Sequence, residues 1–305
     1  MRLAIQGVGC LGSYGIGSAS LWEALQHGTP LPIPAPKTQT ERLKNIFQPR
    51  MLRQMDHFSR MALLGGWLAL NETGNAVLQD MGIIVATGFG PATPTFSFLQ
   101  SLLEFGEGMA SPLAFSHSVH NIPAATLAMK LGVQGPCATL CQPVGAVVAG
   151  LSLAHAWIAE ARVQHVLLIA ADELPSEMNC ALANSAFLQP DEESLTTQRA
   201  EGCAAFILAA DTAHADMACV QWHCTASSKY HAQPETAIVT GTSLPAPPGI
   251  QRSFQGETTY GRIPVSLALG MAAALSAPHS TLCMDAQHSP FHSCLYTNVF
   301  IQPGA

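Results

Sequence analysis

Apolar positions along this chain gather into two helix-length blocks with no charge on any side. From Leu131 to Ala159 no residue is charged, and "VGAVVAGLSLAHAWIA" (144–159) is apolar around nearly its whole circumference. Strand-like runs flank it, "CATLC" before and "VQHVLLIAA" after. A helix apolar all round inside a globular domain must be covered on both sides, and strand, buried helix and strand make a parallel unit. The pattern recurs: Ile263 to Met284 is uncharged, "PVSLALGMAAALSA" (264–277) predicts a second apolar helix, and "STLCMDA" and "SCLYTNVFIQ" follow as strands. The chain reads as two halves of like arrangement, although the letters differ. About 20 apolar residues would suffice for a membrane span. Pro143 and Gly145 at the start of the first block, Ser152 and His155 within it, and its short length argue against one.

The rest of the first half fills in around this unit. "DHFSRMALLGGWLAL" (56–70) places Phe58, Met61, Leu64 and Leu68 on one helical face. "MGIIVATG" (81–88) predicts a buried strand, "TFSFLQSLLEF" (95–105) a helix, and "GCAAFILAA" (202–210) another strand. "NIPAATLAMKLG" (121–132) predicts a helix with Asn121 as N-cap and Gly132 as its stop. The proline-rich stretches 29–36 and 244–248 and the charge-rich 186–201 are loops. Strands and helices alternate throughout, which makes the class α/β.

The chain opens with an apolar strand running into Gly7-x-Gly9-x-x-Gly12, and Leu21, Trp22 and Leu25 follow at helical spacing. A dinucleotide-binding turn also needs a second strand ending in Asp or Glu about 20 residues further on. In its place stands "HGTPLPIPAPKTQT", whose four prolines cannot pair in a sheet interior. The glycines therefore predict a tight strand-to-helix turn, and no cofactor is expected.

Only 11% of residues are charged while 48% are hydrophobic, against about 25% charged in an ordinary globular chain. So few charges cannot comfortably cover a free surface, and a large interface with a partner is expected. The net charge is −7, and the thirteen Lys and Arg occur singly, which argues against nucleic acid. "MRLAIQGVGC" reaches glycine too soon for a signal peptide, and nine irregularly spaced cysteines read as cytoplasmic thiols. Cys137 and Cys141 form one C-x₃-C pair with no second pair to complete a zinc site, so no metal is expected.

The pattern and several motifs resemble the β-ketoacyl synthases. "IQGVGCLGSYGIGSASLWEAL" is similar to that family's first strand, glycine turn and helix, and "RMLRQMDHFSRMALLGGWLAL" to its Arg-Met and amphipathic-helix segment. "SPLAFSHSVHNIPAATLAMKLGVQGP" resembles the approach to the nucleophile strand in the branch found in aryl polyene and related pathways, and "CLYTNVFIQPGA" the family's last strand. The resemblance implies a thiolase-like αβαβα layered fold with two pseudo-repeated halves, 1–210 and a shortened 211–305. It also implies that the opening glycines are structural.

Active members of that family use a cysteine at the start of the first buried helix, where the helix end lowers its pKa, and two histidines. Carried over by position, the nucleophile falls on Val144 or Gly145. The first histidine turn matches "VTGTSLPAPPG", which keeps Gly241 and lacks the histidine; the second matches Gly261 followed by Arg262. Arginine stays protonated and cannot replace an acid–base group. Three failed positions imply a non-catalytic relative. The resemblance suggests a chain-length-factor-like subunit in a heterodimer with an active β-ketoacyl-acyl-carrier-protein synthase, receiving chains from an acyl carrier protein. It would shape the acyl pocket during polyene, polyketide or fatty-acid-type elongation. Gln142 lies two residues before the position where some chain-length factors carry glutamine. The interface and pocket residues would be Phe115, His120, Asn121, Cys137, Thr139, Cys141 and Gln142. The alternative is a divergent condensing enzyme that uses Cys141 with His117 or His120 as base.

For most of these side chains a plainer role stands beside the chemical one. His117 and His120 read as helix-entry imidazoles bonded to backbone near a dimer seam. Asp172 and Glu173 read as caps of the next segment or partners of a cation, and Arg262 as half of a structural ion pair. Phe115, Met129 and Trp157 sit at core spacing and are expected to pack.

Overall fold

Strand β1 (Arg2–Gly12) runs straight through Gly7, Gly9 and Gly12, where the sequence predicts a turn. The computed structural model describes residues 1–73, 80–184, 199–211, 218–225, 236–241, 250, 252–261, 263–289 and 292–302. In it the turn comes later, at Gly15 and Gly17, whose φ angles of 110° and 104° only glycine adopts readily. The short β2 (Gly15–Ile16) folds back on β1 before α1 (Ser18–Gln26), which buries Leu21, Trp22 and Leu25 as expected. The glycines within β1 serve a close approach. A methyl group on Gly9 would run into the Gly65 carbonyl, and one on Gly7 into that of Ala69.

Those two carbonyls belong to α3 (His57–Thr73), which follows the single-turn α2 (Pro49–Leu52). Next come β3 (Met81–Thr87), α4 (Ala92–Phe105), α5 (Pro112–Ser118), α6 (Ile122–Leu131) and β4 (Cys137–Cys141). The first apolar block is α7 (Ala146–Ala159), followed by β5 (His165–Asp172), α8 (Ser176–Asn184) and β6 (Gly202–Ala209). In the second half stand β7 (Ala218–Thr225), β8 (Thr236–Gly241), β9 (Arg252–Gln255) and α9 (Gly256–Tyr260). The second apolar block, α10 (Ser266–Ala274), then leads into the hairpin of β10 (Thr281–Ser289) and β11 (His292–Gln302). The expected loop 29–36 is free of helix and strand; 244–248 and most of 186–201 lie outside the described residues.

One mixed sheet takes the order β4-β3-β5-β6-β1-β7-β11-β10-β8-β9, with β2 off the path. From the central antiparallel contact of β1 with β7, where Arg2 faces Gln221 and Ile5 faces Ala218, both directions repeat one scheme. β6, β5, β3 and β4 follow on one side, β11, β10, β8 and β9 on the other. On each side two antiparallel contacts precede two parallel ones. The repeat read from the two apolar blocks is thus a repeat of topology, and the fold is the α/β thiolase-like arrangement.

The strand connections of the second half are shorter in sequence. Residues 13–80 separate β1 from β3 and 88–136 separate β3 from β4, whereas the counterparts are only 226–235 and 242–251. α3 and α6 cover one face of the first-half sheet through Phe58, Met61, Leu64 and Leu127. α7 and α10 lie between that sheet's other face and the second-half strands, in a core with Leu151, Phe206, Trp222 and Ile301. Every residue of α10 is buried, as an all-apolar helix requires, whereas α7 leaves Ala149, Leu153 and Ala156 only half-covered.

Candidate functional site

β4 is an edge strand: it pairs with β3 on one side, Ile83 opposite Cys137 and Thr87 opposite Cys141. The Gln142 N–H extends the pairing by one bond to the Thr87 carbonyl at 2.9 Å. The chain then turns through Pro143 and Val144 to Gly145, whose φ of 79° sets the left-handed start of α7. The mouth of this buried helix therefore presents Val144 and Gly145, and neither side chain is a nucleophile. Cys141 lies at the strand end, four residues short of the first helical turn. Its Sγ is 3.8 Å from the Gly88 carbonyl. Burial, and then the charge of Asp172, push its thiol pKa up, the opposite of what a nucleophilic cysteine needs.

The turn after β3 forms the other side of this mouth. Asp172, fully buried at the end of β5, accepts the Thr87 hydroxyl at 2.6 Å and the Gly88 and Phe89 N–H groups at 3.0 Å each. Gly90 N–H closes the turn on the Thr87 hydroxyl oxygen at 2.9 Å. Glu173 accepts both the N–H and the hydroxyl of Thr93, at 2.7 and 2.8 Å, and so caps the first turn of α4. That cap explains why α4 starts three residues earlier than its apolar pattern predicts. Burial raises both carboxyl groups to about 7, against the hydrogen bonds that favour their charged forms. The two acids hold the turn and helix of the preceding strand, not the next segment.

The two histidines differ in what they touch. His117 Nδ1 lies 3.3 Å from Asp56 Oδ2, and Asp56 itself caps α3 through the Ser59 N–H and hydroxyl. His120 lies over Gly90, where a methyl group would meet its ring. Among the described residues no hydrogen bond joins Cys141 to either imidazole. Asn121 stands at the N-cap position of α6 without a capping bond from its side chain, while Gly132 ends that helix with φ 73°. Gly241 ends β8, opposite Ala286; Arg262 lies outside the described residues. Its neighbour Pro264 packs directly against Gly88, so the second-half turn does meet the first-half turn.

Two expected packing residues are on the surface instead. Phe115 is 56% exposed and touches Phe98 at 5.2 Å between ring centroids, and Met129 is 75% exposed, whereas Trp157 is buried. Both belong to a larger patch. Of the ten large hydrophobics exposed among the described residues, eight lie between Leu99 and Met129, on α4, α5, α6 and their links. Cys137 and Cys141 are also exposed, on the open edge of β4 beyond α6.

Sequence reasoning missed a buried ion pair near this site. His57 Nε2 lies 2.7 Å from Glu201 Oε1, which also accepts the Thr38 N–H at 2.6 Å. Burial works against the charge of His57, but Glu201 outweighs it and raises the imidazole's pKa; His57 in turn lowers that of the buried Glu201. Glu201 sits at the end of a charge-rich stretch that reads as a loop, so periodicity could not flag it. Among the described residues no three His, Cys, Asp or Glu side chains form a metal-like group, and no helix is long and apolar enough to cross a membrane.

The profile for the N-terminal domain of β-ketoacyl synthases matches residues 22–245. No curated protein matches by sequence. Among solved structures, the ishigamide ketosynthase/chain length factor superposes with TM-score 0.77 at 14% identity, over 100% of both chains. AntDE:AntF, a type II polyketide acyl carrier protein in complex with its ketosynthase, gives 0.73 at 13% identity over 99% of both. The ketosynthase ApeO with its chain length factor ApeC, from Xenorhabdus doucetiae, gives 0.63 at 16% identity over 98% of this chain and 99% of that one. At these identities the likeness is one of fold.

Proposed function

The chain belongs to the β-ketoacyl synthase family, and within it we propose a non-catalytic, chain-length-factor-like subunit that pairs with an active β-ketoacyl-acyl-carrier-protein synthase. One observation carries the reading: the mouth of α7, where a nucleophile would profit from the helix end, presents Val144 and Gly145. The nearest thiol in sequence, Cys141, is four residues before Gly145 and raised in pKa, and among the described residues neither His117 nor His120 is hydrogen-bonded to it.

The surface supports a partner. A free strand edge invites pairing with another chain, and the exposed apolar residues from Leu99 to Met129 adjoin it on α4–α6. Similar folds occur as ketosynthase with chain length factor, and one of them carries its acyl carrier protein. On this reading β4 lies across the dimer axis. Phe115, His120, Asn121, Thr139 and Gln142 close the acyl pocket of the partner during polyketide or polyene elongation.

The test is co-expression with a candidate synthase, followed by incubation with acyl-carrier thioester. The reading expects a stable complex whose product length changes with this subunit's pocket residues, and an acyl mass increase on the partner alone. Acylation of Cys141 would replace it with the alternative, a divergent condensing enzyme.

A further inference from the structure

Glu201, buried just before β6, draws three segments onto one carboxylate. Its Oε1 lies 2.7 Å from His57 Nε2 and accepts the Thr38 N–H at 2.6 Å, and the Leu174 N–H adds a bond from just beyond β5. Its carbonyl also accepts the Thr38 hydroxyl, at 3.3 Å. Thr38 ends a strap, residues 29–38, that carries neither helix nor strand and reaches the second half. There the Leu31 N–H donates to the Thr258 carbonyl of α9 at 2.8 Å, with the Leu31 side chain buried. Ala200, the neighbour of Glu201, and Leu31 both press on Gly261: a methyl group on that glycine would meet the Ala200 Cβ and N and the Leu31 side chain. Gly261, at φ 79°, leads into the turn before α10, which Ser266 closes by accepting the Ile263 N–H at 2.9 Å. That turn meets Gly88 through Pro264. It is therefore seated between Ala200 and Leu31 on the one hand and the Gly88 turn beside Cys141 on the other.

The charge of His57 completes this arrangement. Burial disfavours the imidazolium, Glu201 and then Glu173 favour it, Lys37 opposes it, and the net effect is a raised pKa. Asp56, next to His57 in sequence, faces His117 and pushes Glu173 upward. Glu201 is itself held below its ordinary 4.5 by its hydrogen bonds and by His57, against the cost of burial. Both charges are therefore present from below 4.5 to above 6.5, the ordinary imidazole value. As pH rises through the folded value of His57 the cation is lost. A neutral imidazole keeps at most the hydrogen bond, and the attraction between opposite charges, strong in a buried site, disappears.

We propose that His57 and Glu201 form a pH-sensitive latch. While both are charged they hold the strap and, through Ala200 and Leu31, seat the turn before α10 against Gly88; loss of the His57 proton loosens strap and turn together. The inference is independent of whether the chain is catalytic, because it concerns how the two halves meet beside the site. The test is hydrogen exchange on the full chain, in complex with its partner where solubility requires, from about pH 5 to 8. Protection is read after correction for the intrinsic pH dependence of exchange. The reporters are the Leu31 and Thr38 N–H groups of the strap and the Ile263 and Ser266 N–H groups of the turn, each hydrogen-bonded in the structure. The amides of α7 report global opening. Protection of strap and turn should fall together across this range by about tenfold or more, the equivalent of one hydrogen bond to a charged group, while α7 holds. His57→Arg keeps its cation throughout and should keep both segments protected. His57→Gln should leave both weakly protected at every pH, without the step; if it does not fold, the native chain and His57→Arg decide. The proposal is overturned if the native turn stays protected throughout, or if the strap opens without the turn. It is equally overturned if His57→Arg opens with pH as the native chain does, which would place the sensitivity at Asp172 and Glu173.

Discussion

Asp172 and Thr87 share a 2.6 Å hydrogen bond between the ends of β5 and β3, and through it a fully buried carboxyl pins the turn beside the candidate site. The same carboxyl gathers the Gly88 and Phe89 N–H groups. Asp172 therefore positions the turn that faces Cys141 and Pro264, and its protonation state bears on both the fold and the thiol.

Stability should fall as pH rises through the acidic range to about 7. Burial raises Asp172 from 3.8 and Glu173 from 4.5 to about 7 in the folded chain. Between those limits the unfolded chain loses these protons while the folded chain keeps them, so unfolding gains with each step of pH and the effect levels off above about 7. His57 acts in the same direction: its raised pKa gives stability that is present below 6.5 and lost as pH passes the folded value. Thermal unfolding followed from mildly acidic to mildly alkaline buffer should show a declining Tm. Asp172→Asn, which keeps an acceptor for Thr87 but cannot ionise, should flatten that decline. A Tm that climbs over this range would contradict the burial of both acids.

Breaking the His57–Glu201 pair should cost about 1–3 kcal/mol, the penalty of leaving a buried group without its partner. The pair is 2.7 Å apart with Glu201 6% exposed, and Glu201 also anchors the Thr38 N–H. His57→Ala strands the carboxylate and should be the worse single change. Glu201→Gln keeps an acceptor for Thr38 and should be milder. Urea denaturation of both variants and the double variant gives the coupling, expected at about 0.5–3 kcal/mol for groups in direct contact. A coupling near zero would show that Thr38, not the ion pair, is what Glu201 serves.

The parts of this fold that were legible in the sequence are those written in periodicity. The two charge-free blocks predicted α7 and α10, the runs around Met81, Cys137, His165 and Gly202 predicted strands, and Gly132 predicted a helix end. What escaped was long-range. Gly7 and Gly9 look like turn glycines because a three-letter spacing cannot show that α3 crosses them sixty residues later. Phe115 and Met129 look like core because an exposed apolar face has the same spacing as a buried one. Glu201 looks like loop charge and Glu173 like a cap of the next segment because their partners, His57 and Thr93, are remote in sequence.

Gly9→Ala tests the reading of the opening motif. A methyl group there would meet the Gly65 carbonyl in α3, and backbone cannot yield as a side-chain tip does. Overpacking of this kind typically costs about 1–3 kcal/mol, and the variant should show a lowered Tm and reduced soluble yield. Gly28→Ala is the control: its φ is 59°, nothing lies within 4 Å, and it should be tolerated with a smaller loss. If Gly9→Ala melts like the native chain, the close approach of α3 to β1 is wrong.

The exposed face should make the isolated chain associate and should be protected by a partner. Leu103 is 86% exposed, Met109 74% and Met129 75%, on α4, the turn that follows it and α6. Leu103→Glu with Met109→Glu should raise the soluble, monomeric fraction on size exclusion and weaken pairing with the synthase. In the native complex, Cys137 and Cys141 should resist alkylation that modifies both in the chain alone. Equal labelling of the two cysteines in the complex would remove β4 from the interface.

Cys141 supplies the sharpest check on catalytic silence. A nucleophilic cysteine is a thiolate near neutral pH, held so by a helix end or a neighbouring cation. Here burial and the Asp172 carboxylate both raise the thiol, and the turn Gln142–Gly145 keeps it from the start of α7. Iodoacetamide labelling of the isolated chain, read at the Cys141 peptide, should therefore be slow at neutral pH and quicken in alkaline buffer. Asp172→Asn removes the opposing charge and should move that rate profile to lower pH without giving acyl transfer. Cys141→Ser should leave the product of the complex unchanged in length and yield. Rapid labelling at neutral pH, together with loss of product in Cys141→Ser, would make this thiol the nucleophile and the chain an enzyme.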